Sequence, residues 1–367
     1  MRGIATSQVT MLSALTPDEL VPTEHPMRRI KPIAEAALRQ LEATFSAMYA
    51  AEGRPSIPPE HLLKGCLLMA LYTIRSERQF CERLQYDLLF KWFLDLNIED
   101  PAFDHSSFAK NRQRLLDHDV ARQFFAAVLV EAKRMRLLSS EHFTVDGTLL
   151  EAWASMKSVG PRAPNLGGRK RRGGKRGRNQ EVDFRGQKRS NQTHCSSTDP
   201  EAMLARKSPN QGAKLAFAGH VLMENRNGLV VDVDLTKATG SAEREAGIKM
   251  MRRHKKSKRR DTLGADKGYD TKDFVTDCRA IGVTPHVAQN INEHRGSAID
   301  ERTANKSGYV ASQRVRKRVE EVFGWMKTVG GGRKLRYIGL KRNLLWVEFT
   351  AAAYNLIRIA NLCPEYA

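Results

Sequence analysis

The spacing of apolar and polar positions changes once along this chain of 367 residues, near residue 138. Before that point the apolar side chains recur at helical intervals. "IKPIAEAALRQLEATFSAMYA" and "SIPPEHLLKGCLLMALYTI" follow the i, i+3, i+4 pattern, and the second opens with the Ser and Pro residues suited to a helix start. Shorter helical pieces follow, "SERQFCERLQYDLLFKWFLDL" and then "DHSSFAKNRQRL", where Asp104 or Ser106 is placed to cap a basic helix. Residues 28–137 therefore read as an all-α unit of short helices joined by tight turns. Two readings stand side by side: a helix-turn-helix-like DNA-binding array, or a helical bundle with a solvated basic face carrying Lys110, Arg112 and Arg114.

From Glu141 onward the period falls to two. "HFTVD" is a short strand ending in Asp146, and "AKLAFAGHVLMEN" and "GLVVDVDLT" are alternating runs on either side of "RNG", a hairpin signal. A helix is expected from Ser241 to about His254, then a strand "DTLGAD", a helix "TKDFVTDCRAIG" and a strand "TPHVAQN". The helices "SQRVRKRVEEVFGWMK" and "RNLLWVEFTAAAYNLIRIANL" close the chain. That order predicts an α/β unit over 138–367 with a central mixed sheet flanked by helices, after an N-terminal arm at 1–27 and the helical unit. Residues 157–192 break the pattern. "GGRKRRGGKRGRNQ" is Gly-rich, strongly basic and nearly free of apolar side chains, so it is expected to be a disordered basic insert whose Arg169, Lys170, Arg171, Arg172, Lys175, Arg176 and Arg178 attract phosphate.

Composition narrows the partner. A net charge of +20 points to a polyanion, with nucleic acid ahead of a membrane surface because no amphipathic lipid-binding stretch stands out. No apolar run reaches the roughly 20 residues needed to span a bilayer. The first fifteen residues lack the apolar core of a signal peptide. Five scattered cysteines without ligand spacing indicate reduced thiols in a cytoplasmic compartment and no structural zinc.

Against this positive balance, carboxylates placed at strand ends stand out. In "LGADKGY" Asp266 follows a short apolar run, where an Asp is ordinarily a turn former or helix cap. Asp146 occupies the same position after the first strand, and ligands of α/β sheets gather at such carboxyl ends. A third carboxylate is available from the helix 314–327. At about 100° per residue, Glu320 falls roughly 40° and Lys327 roughly 20° from Arg316, beside the apolar arc, whereas Glu321 points roughly 100° away from Glu320. Arg316, Glu320 and Lys327 also make an ordinary salt-bridged helix face. Separated carboxylates in so basic a protein require countercharge, which Arg316, Lys327 and two Mg²⁺ ions would supply, Mn²⁺ being able to substitute.

These residues carry a family resemblance. "TVDGTLLEAWAS", "NRNGLVVDVDLTKATGSAER", "LGADKGYD" and "RVRKRVEEVFGWMK" are similar to the DDE transposases of bacterial insertion sequences, in the group named for insertion sequence five. "SIPPEHLLKGCLLMALYTIRSERQFCERL" resembles the helical domain preceding the catalytic domain in that group, so the likeness spans about residues 25–365. It implies a ribonuclease H-like catalytic domain and a metal-binding triad of Asp146, Asp266 and Glu320. The family's Tyr-x2-Arg-x3-Glu-x6-Lys signature keeps Arg316, Glu320 and Lys327 in register, with Gln313 in place of the Tyr. With Glu320 only 54 positions after Asp266, no large inserted domain fits there.

The function so implied is metal-dependent cleavage and strand transfer on double-stranded DNA, at terminal inverted repeats and target sites. A homodimer would pair two ends in a bacterial, nucleoid-associated setting. Trp153, Lys157 and Lys267 are candidates for touching DNA. The rival readings are a nuclease of the same fold, a catalytically dead regulator derived from a transposase, and an architectural protein, which would explain the charge but not the triad.

Overall fold

A computed structural model describes residues 16–50, 52–53, 55–162, 190–208, 210–255, 260–291 and 296–363. The first part is helical, as the periodicity predicts: α1 (Pro17–Leu20), α2 (Met27–Arg39), α3 (Glu42–Ala47), α4 (Pro59–Leu71), α5 (Glu77–Tyr86), α6 (Leu88–Phe93), α7 (His105–Asp117) and α8 (Val120–Arg134). Asp104 caps α7, its carboxylate accepting from the N–H groups of Ser106 and Ser107 at 3.0 Å. α4 is the central helix, with Leu62, Leu63, Leu67 and Leu68 fully buried.

The second part is a six-stranded mixed sheet among the described residues. β1 (His142–Glu151) runs down its middle. β2 (Val159–Pro161) and β3 (His194–Ser196) form a separate small pair, and β4 (Met203–Ala205) returns to the main sheet. β5 (Lys214–Glu224) pairs antiparallel with β1 on one side, and on the other with β6 (Val230–Lys237) and, where β6 ends, with β4. The β5–β6 turn follows "RNG": Gly228 has φ +73, and the Glu224 carboxylate accepts from the N–H groups of Arg226, Asn227 and Leu229. α9 (Ala242–His254) crosses to β7 (Asp261–Ala265), and α10 (Lys272–Ala280) leads to β8 (Val283–Val287). β1, β7 and β8 are parallel neighbours. α11 (Glu301–Ala304), α12 (Ser307–Val315), α13 (Val319–Lys327) and α14 (Leu340–Leu362) complete the chain.

One face of the sheet, through Phe143, Val145, Leu263 and Ala265, buries α9 and α10. The other face packs on α13 and α14 in a hydrophobic cluster that also includes Phe45, Leu67, Phe80 and Phe124 of the helical part. α14 is buried nearly all round, so it serves as core for both halves of the chain. The two halves share one hydrophobic core.

Three sequence expectations need correction. β1 does not end at Asp146 but continues to Glu151, because β5 stays paired with it to the register Glu151↔Ala216 after β7 has stopped. Both ends of the stretch expected to be disordered, 157–162 and 190–192, are ordered. Lys157 and Ser158 lie in a single 3-10 turn, Val159–Pro161 pair with β3, and residues 190–192 form a turn. The seven arginines and lysines from Arg169 to Arg178 lie outside the described residues. Finally, the helix expected over 314–327 is interrupted by a 3-10 turn at Arg316–Arg318. Three residues advancing about 120° instead of 100° rotate α13 by roughly 60° relative to α12.

Candidate active site

The site is built by strand register. Thr144 of β1 lies opposite Gly264 of β7 in the parallel pairing, so two residues further on Asp146 and Asp266 stand level on adjacent chains. Adjacent strands lie about 4.8 Å apart, which makes the two aspartates neighbours. Each carboxylate is held by a local N–H: Gly147 donates to Asp146 Oδ1 and Gly268 to Asp266 Oδ1, both at 2.8 Å. Asp266 is also the N-cap of the single turn Lys267–Tyr269. The turn-forming role that the sequence suggests for this residue coexists with its place in the site.

The proximity has an electrostatic consequence. The Asp146 carboxyl is pushed up to about 7, first by burial and then by the charges of Asp266 and Glu243, while the Gly147 N–H and Arg316 oppose the shift. Glu243, in the first turn of α9, is raised by burial and by Asp266. Burial and the like charges of a neighbouring carboxylate each disfavour the ionised form.

The cations of the signature are placed by identifiable contacts. Gln313, standing where the family has Tyr, donates from Nε2 to the His286 carbonyl at 2.7 Å and accepts from Arg316 Nε at 2.8 Å. It therefore orients Arg316, whose Cβ passes 3.5 Å from where a Gly264 Cβ would stand. Lys327 reaches back from the end of α13 to Thr148 Oγ1 at 2.5 Å. Glu320 is exposed, since the 3-10 turn rotates α13 away from the face that Arg316 shares with the aspartates. Glu321 is exposed as well, 3.9 Å from Arg358. The structure thus brings Asp146, Asp266, Arg316 and Lys327 together and leaves Glu320 at the surface.

Asp146 and Asp266 open into a broad cleft of about 1570 Å³. Glu243, Lys327, Arg206, Lys207, Lys214 and Arg333 line the same cleft, so paired acids face a basic rim. Of these, Glu243, Arg206, Lys207, Lys214 and Arg333 were not among the sequence candidates. Arg333 had a signal in the preceding "GGG": a Cβ on Gly330 would fall 2.7 Å from the Met326 carbonyl, so only glycine lets the chain turn back and bring Arg333 beside the end of β1.

The remaining DNA candidates are dispersed. Trp153 is 52% exposed with Lys334 Nζ 5.7 Å from its ring centre, and Lys157 and Lys267 are exposed. Lys110 is exposed on α7. Arg112 is engaged internally, 3.0 Å from Glu77 and stacked 4.2 Å from the Tyr337 ring centre. Arg114 bonds Asn111 at 2.9 Å and lies 5.0 Å from the Tyr49 ring centre. Of Lys110, Arg112 and Arg114, only Lys110 makes no such contact among the described residues.

The donor chemistry suits a hard divalent cation, which takes carboxylate oxygens and is commonly held by one or two carboxylates together with substrate phosphate. Among the described residues no three His, Cys, Asp or Glu side chains converge closely enough to enclose an ion by themselves. Asp146 and Asp266 form an edge of two carboxylates rather than a closed cage.

A central mixed sheet with adjacent aspartates on neighbouring parallel strands, flanked by helices on both faces, is the ribonuclease H-like class. Residues 15–114 match the model of the family described as Transposase domain (DUF772), and residues 187–356 match that described as Transposase DDE domain. Asp266 and Glu320 fall inside the second match, and Asp146 lies between the two. A search of curated proteins finds no match. Solved structures similar to the chain include a piggyBac transposase synaptic complex with hairpin DNA (10% identity, 93% of this chain and 76% of that one, TM-score 0.43). Two Mos1 structures are also similar: a transposase paired-end complex with the left transposon end (12% identity, 86% and 99%, TM-score 0.20), and a mariner paired-end complex with Mn (9% identity, 92% and 96%, TM-score 0.20). On its two domain matches, the chain belongs to the DDE transposases of the insertion-sequence 4/5 type.

Proposed function

We infer that this transposase is catalytically competent, and that it cleaves the ends of its element and joins the freed 3′ ends to target DNA. The adjacency of Asp146 and Asp266 in a basic cleft carries this reading. A regulator that needed only to bind DNA would gain nothing from two neighbouring, half-buried carboxylates, which repel each other. The finer placement, in the group named for insertion sequence five, rests on the motifs "LGADKGYD" and "RVRKRVEEVFGWMK".

Asp146 and Asp266 would hold the divalent cation, Mg²⁺ or Mn²⁺; Glu320, the third carboxylate of the family pattern, lies exposed on α13, outside that pair. When bound, the cation supplies Lewis-acid polarisation of phosphate oxygens and lowers the pKa of attacking water. The chain's own residues do the positioning. The N–H groups of Gly147 and Gly268 fix one oxygen of each aspartate. Arg316, held by Gln313, favours the ionised form of Asp146. Arg206, Lys207 and Arg333 offer phosphate contacts along the cleft, which position DNA without reading its sequence. No described helix is long and apolar enough to cross a membrane. The substrate places the protein with the bacterial nucleoid, and pairing of two ends calls for a homodimer.

The test is a strand-transfer assay on duplexes carrying the inverted repeats that flank the coding region. Joined products support the transposase reading. Cleavage without joining would instead favour a nuclease of the same fold, and absence of matched inverted repeats from the flanking DNA would count against mobility of this copy.

A further inference from the structure

Arg333 lines the cleft from a short stretch, residues 333–335, that runs beside the end of β1. The Leu335 N–H donates to the Glu151 carbonyl at 2.7 Å, and the Glu151 N–H donates to the Arg333 carbonyl at 3.3 Å. Glu151 is the last residue of the strand that carries Asp146. The stretch follows Gly330, Gly331 and Gly332, and glycine restricts its own backbone least of all residues. A second hold comes from the helical half.

The turn at residues 73–77, between α4 and α5, makes three contacts with the chain on either side of Arg333. Thr73 Oγ1 donates to the Val329 carbonyl at 2.7 Å, Arg75 Nη2 donates to the Lys334 carbonyl at 3.0 Å, and the Tyr337 hydroxyl donates to Glu77 Oε1 at 3.0 Å. Arg112 of α7 lies 3.0 Å from the same Glu77 oxygen and 4.2 Å from the Tyr337 ring centre. An acid in a first helical turn is ordinarily explained by the helix dipole, and Glu77 opens α5. That account does not reach Thr73. Its φ of +57 is an outlier for a β-branched residue and persists only where the surroundings impose it. Its methyl lies 3.7 Å from where a Cβ on Gly331 would stand, and Gly331 itself has φ +66. Strain and contacts thus fall on one turn and bear on one stretch.

We propose that this turn is a clamp, with Thr73 and Glu77 as positioning residues that set Arg333 against DNA phosphate at the rim of the cleft. This rests on reading the cleft as the DNA site. The helical half then shapes the cleft of the catalytic half without touching the aspartates.

The experiment is duplex binding by the full chain in EDTA over a range of salt. It compares wild type, R333A, K207A, T73G, Y337F and T73G/Y337F, and then T73G/Y337F combined with R333A or with K207A. Neither T73G nor Y337F changes a charge, so a change in salt slope reports the cations that the clamp positions. R333A should flatten the slope by roughly 0.9, the value of one phosphate contact. T73G/Y337F should flatten it by about as much, and adding R333A should then change it no further. The effect of K207A, on the part of the rim after β4, should be the same in both backgrounds. T73G removes backbone strain together with a hydrogen bond, and Y337F keeps the ring, so each single variant should fold and show part of the same change. An R333A effect undiminished in T73G/Y337F, or R333A at the wild-type slope, would overturn the inference. A wild type that binds in this way but never cleaves would refute the function above and leave the clamp standing. If wild type binds no duplex, both fall together.

Discussion

Arg122 on α8 joins the helical half to the sheet, and replacing it gives a prediction whose size and pH dependence both derive from the structure. Its Nη1 lies 2.6 Å from Asp232 Oδ1 on β6, its Nε 2.8 Å from Glu348 Oε1 on α14, and its Nη2 donates to the Val233 carbonyl at 2.8 Å. The two carboxylates are 7% and 3% exposed. Arg122→Ala leaves Asp232 with Arg253 at 2.9 Å but leaves Glu348 buried with no cation. Removing one partner of a buried ion pair costs about 3 to 5 kcal/mol. Burial already raises the Glu348 carboxyl from 4.5 to about 7 against the pull of Arg122. A carboxyl with a raised folded pKa stabilises the fold below its unfolded value, and that contribution is lost as pH rises through the folded value, here between 4.5 and about 7. Without Arg122 the folded value climbs further. The deficit of Arg122→Ala should therefore be greatest above pH 7. It should narrow to about 1 to 3 kcal/mol near pH 5, where Glu348 is protonated in both proteins and the remaining cost is unmet hydrogen bonding. Urea denaturation at several pH values, with unchanged m, measures it. A deficit that does not vary with pH, or one below about 1 kcal/mol at high pH, would refute the assignment of Arg122 as the countercharge of Glu348.

Three further outcomes are expected. Gly65→Ala should lower the urea midpoint, because the new Cβ would stand 2.9 Å from Phe80 and 3.0 Å from Phe108, and overpacking of about 1 to 3 kcal/mol outweighs a helix-propensity gain of about 1; a higher midpoint would mean the aromatic cluster has room. Deleting residues 167–179, seven of them basic, should weaken binding to any duplex and flatten the dependence of log K on log salt, by roughly 0.9 for each phosphate the shortened chain no longer reaches, while preference for the element's end survives. An unchanged slope would reduce the segment to a spacer. On the family pattern, and although α13 turns this residue outward, Glu320→Gln should abolish DNA cleavage and Glu321→Gln should leave it near wild type, with DNA binding retained in both. The reverse pattern would show that the wrong glutamate of α13 has been assigned.

Much of the fold was legible because it depends on local patterns. Ser241 and the apolar spacing after it set α9, and "RNG" sets the β5–β6 turn. The run "LGAD" ends β7 one residue before Asp266. The features that were not legible depend on pairing between distant segments. Gly147 after Asp146 reads as a strand end, and only the antiparallel partner β5 carries β1 on to Glu151. No Gly or Pro marks the 3-10 turn at Arg316–Arg318, so a helical wheel drawn through it places Glu320 with Arg316, whereas the chain turns it outward. Glu243 sits in "SAERE", which reads as an ordinary helix start. Nothing in that segment shows that α9 begins beside the loop after β7.

The account stands most directly on the pairing of Asp146 with Asp266. The measurement is DNA cleavage in Mg²⁺ on a duplex carrying the element's end, by wild type and by Asp266→Asn, with DNA binding followed in parallel. Asp266→Asn keeps an acceptor for the Gly268 N–H and the shape of the turn, so folding and DNA binding should persist while cleavage falls to background. Wild type should likewise lose cleavage in EDTA and regain it with Mg²⁺ or Mn²⁺. Cleavage by Asp266→Asn at the wild-type rate, or full wild-type cleavage in EDTA, would contradict the central claim.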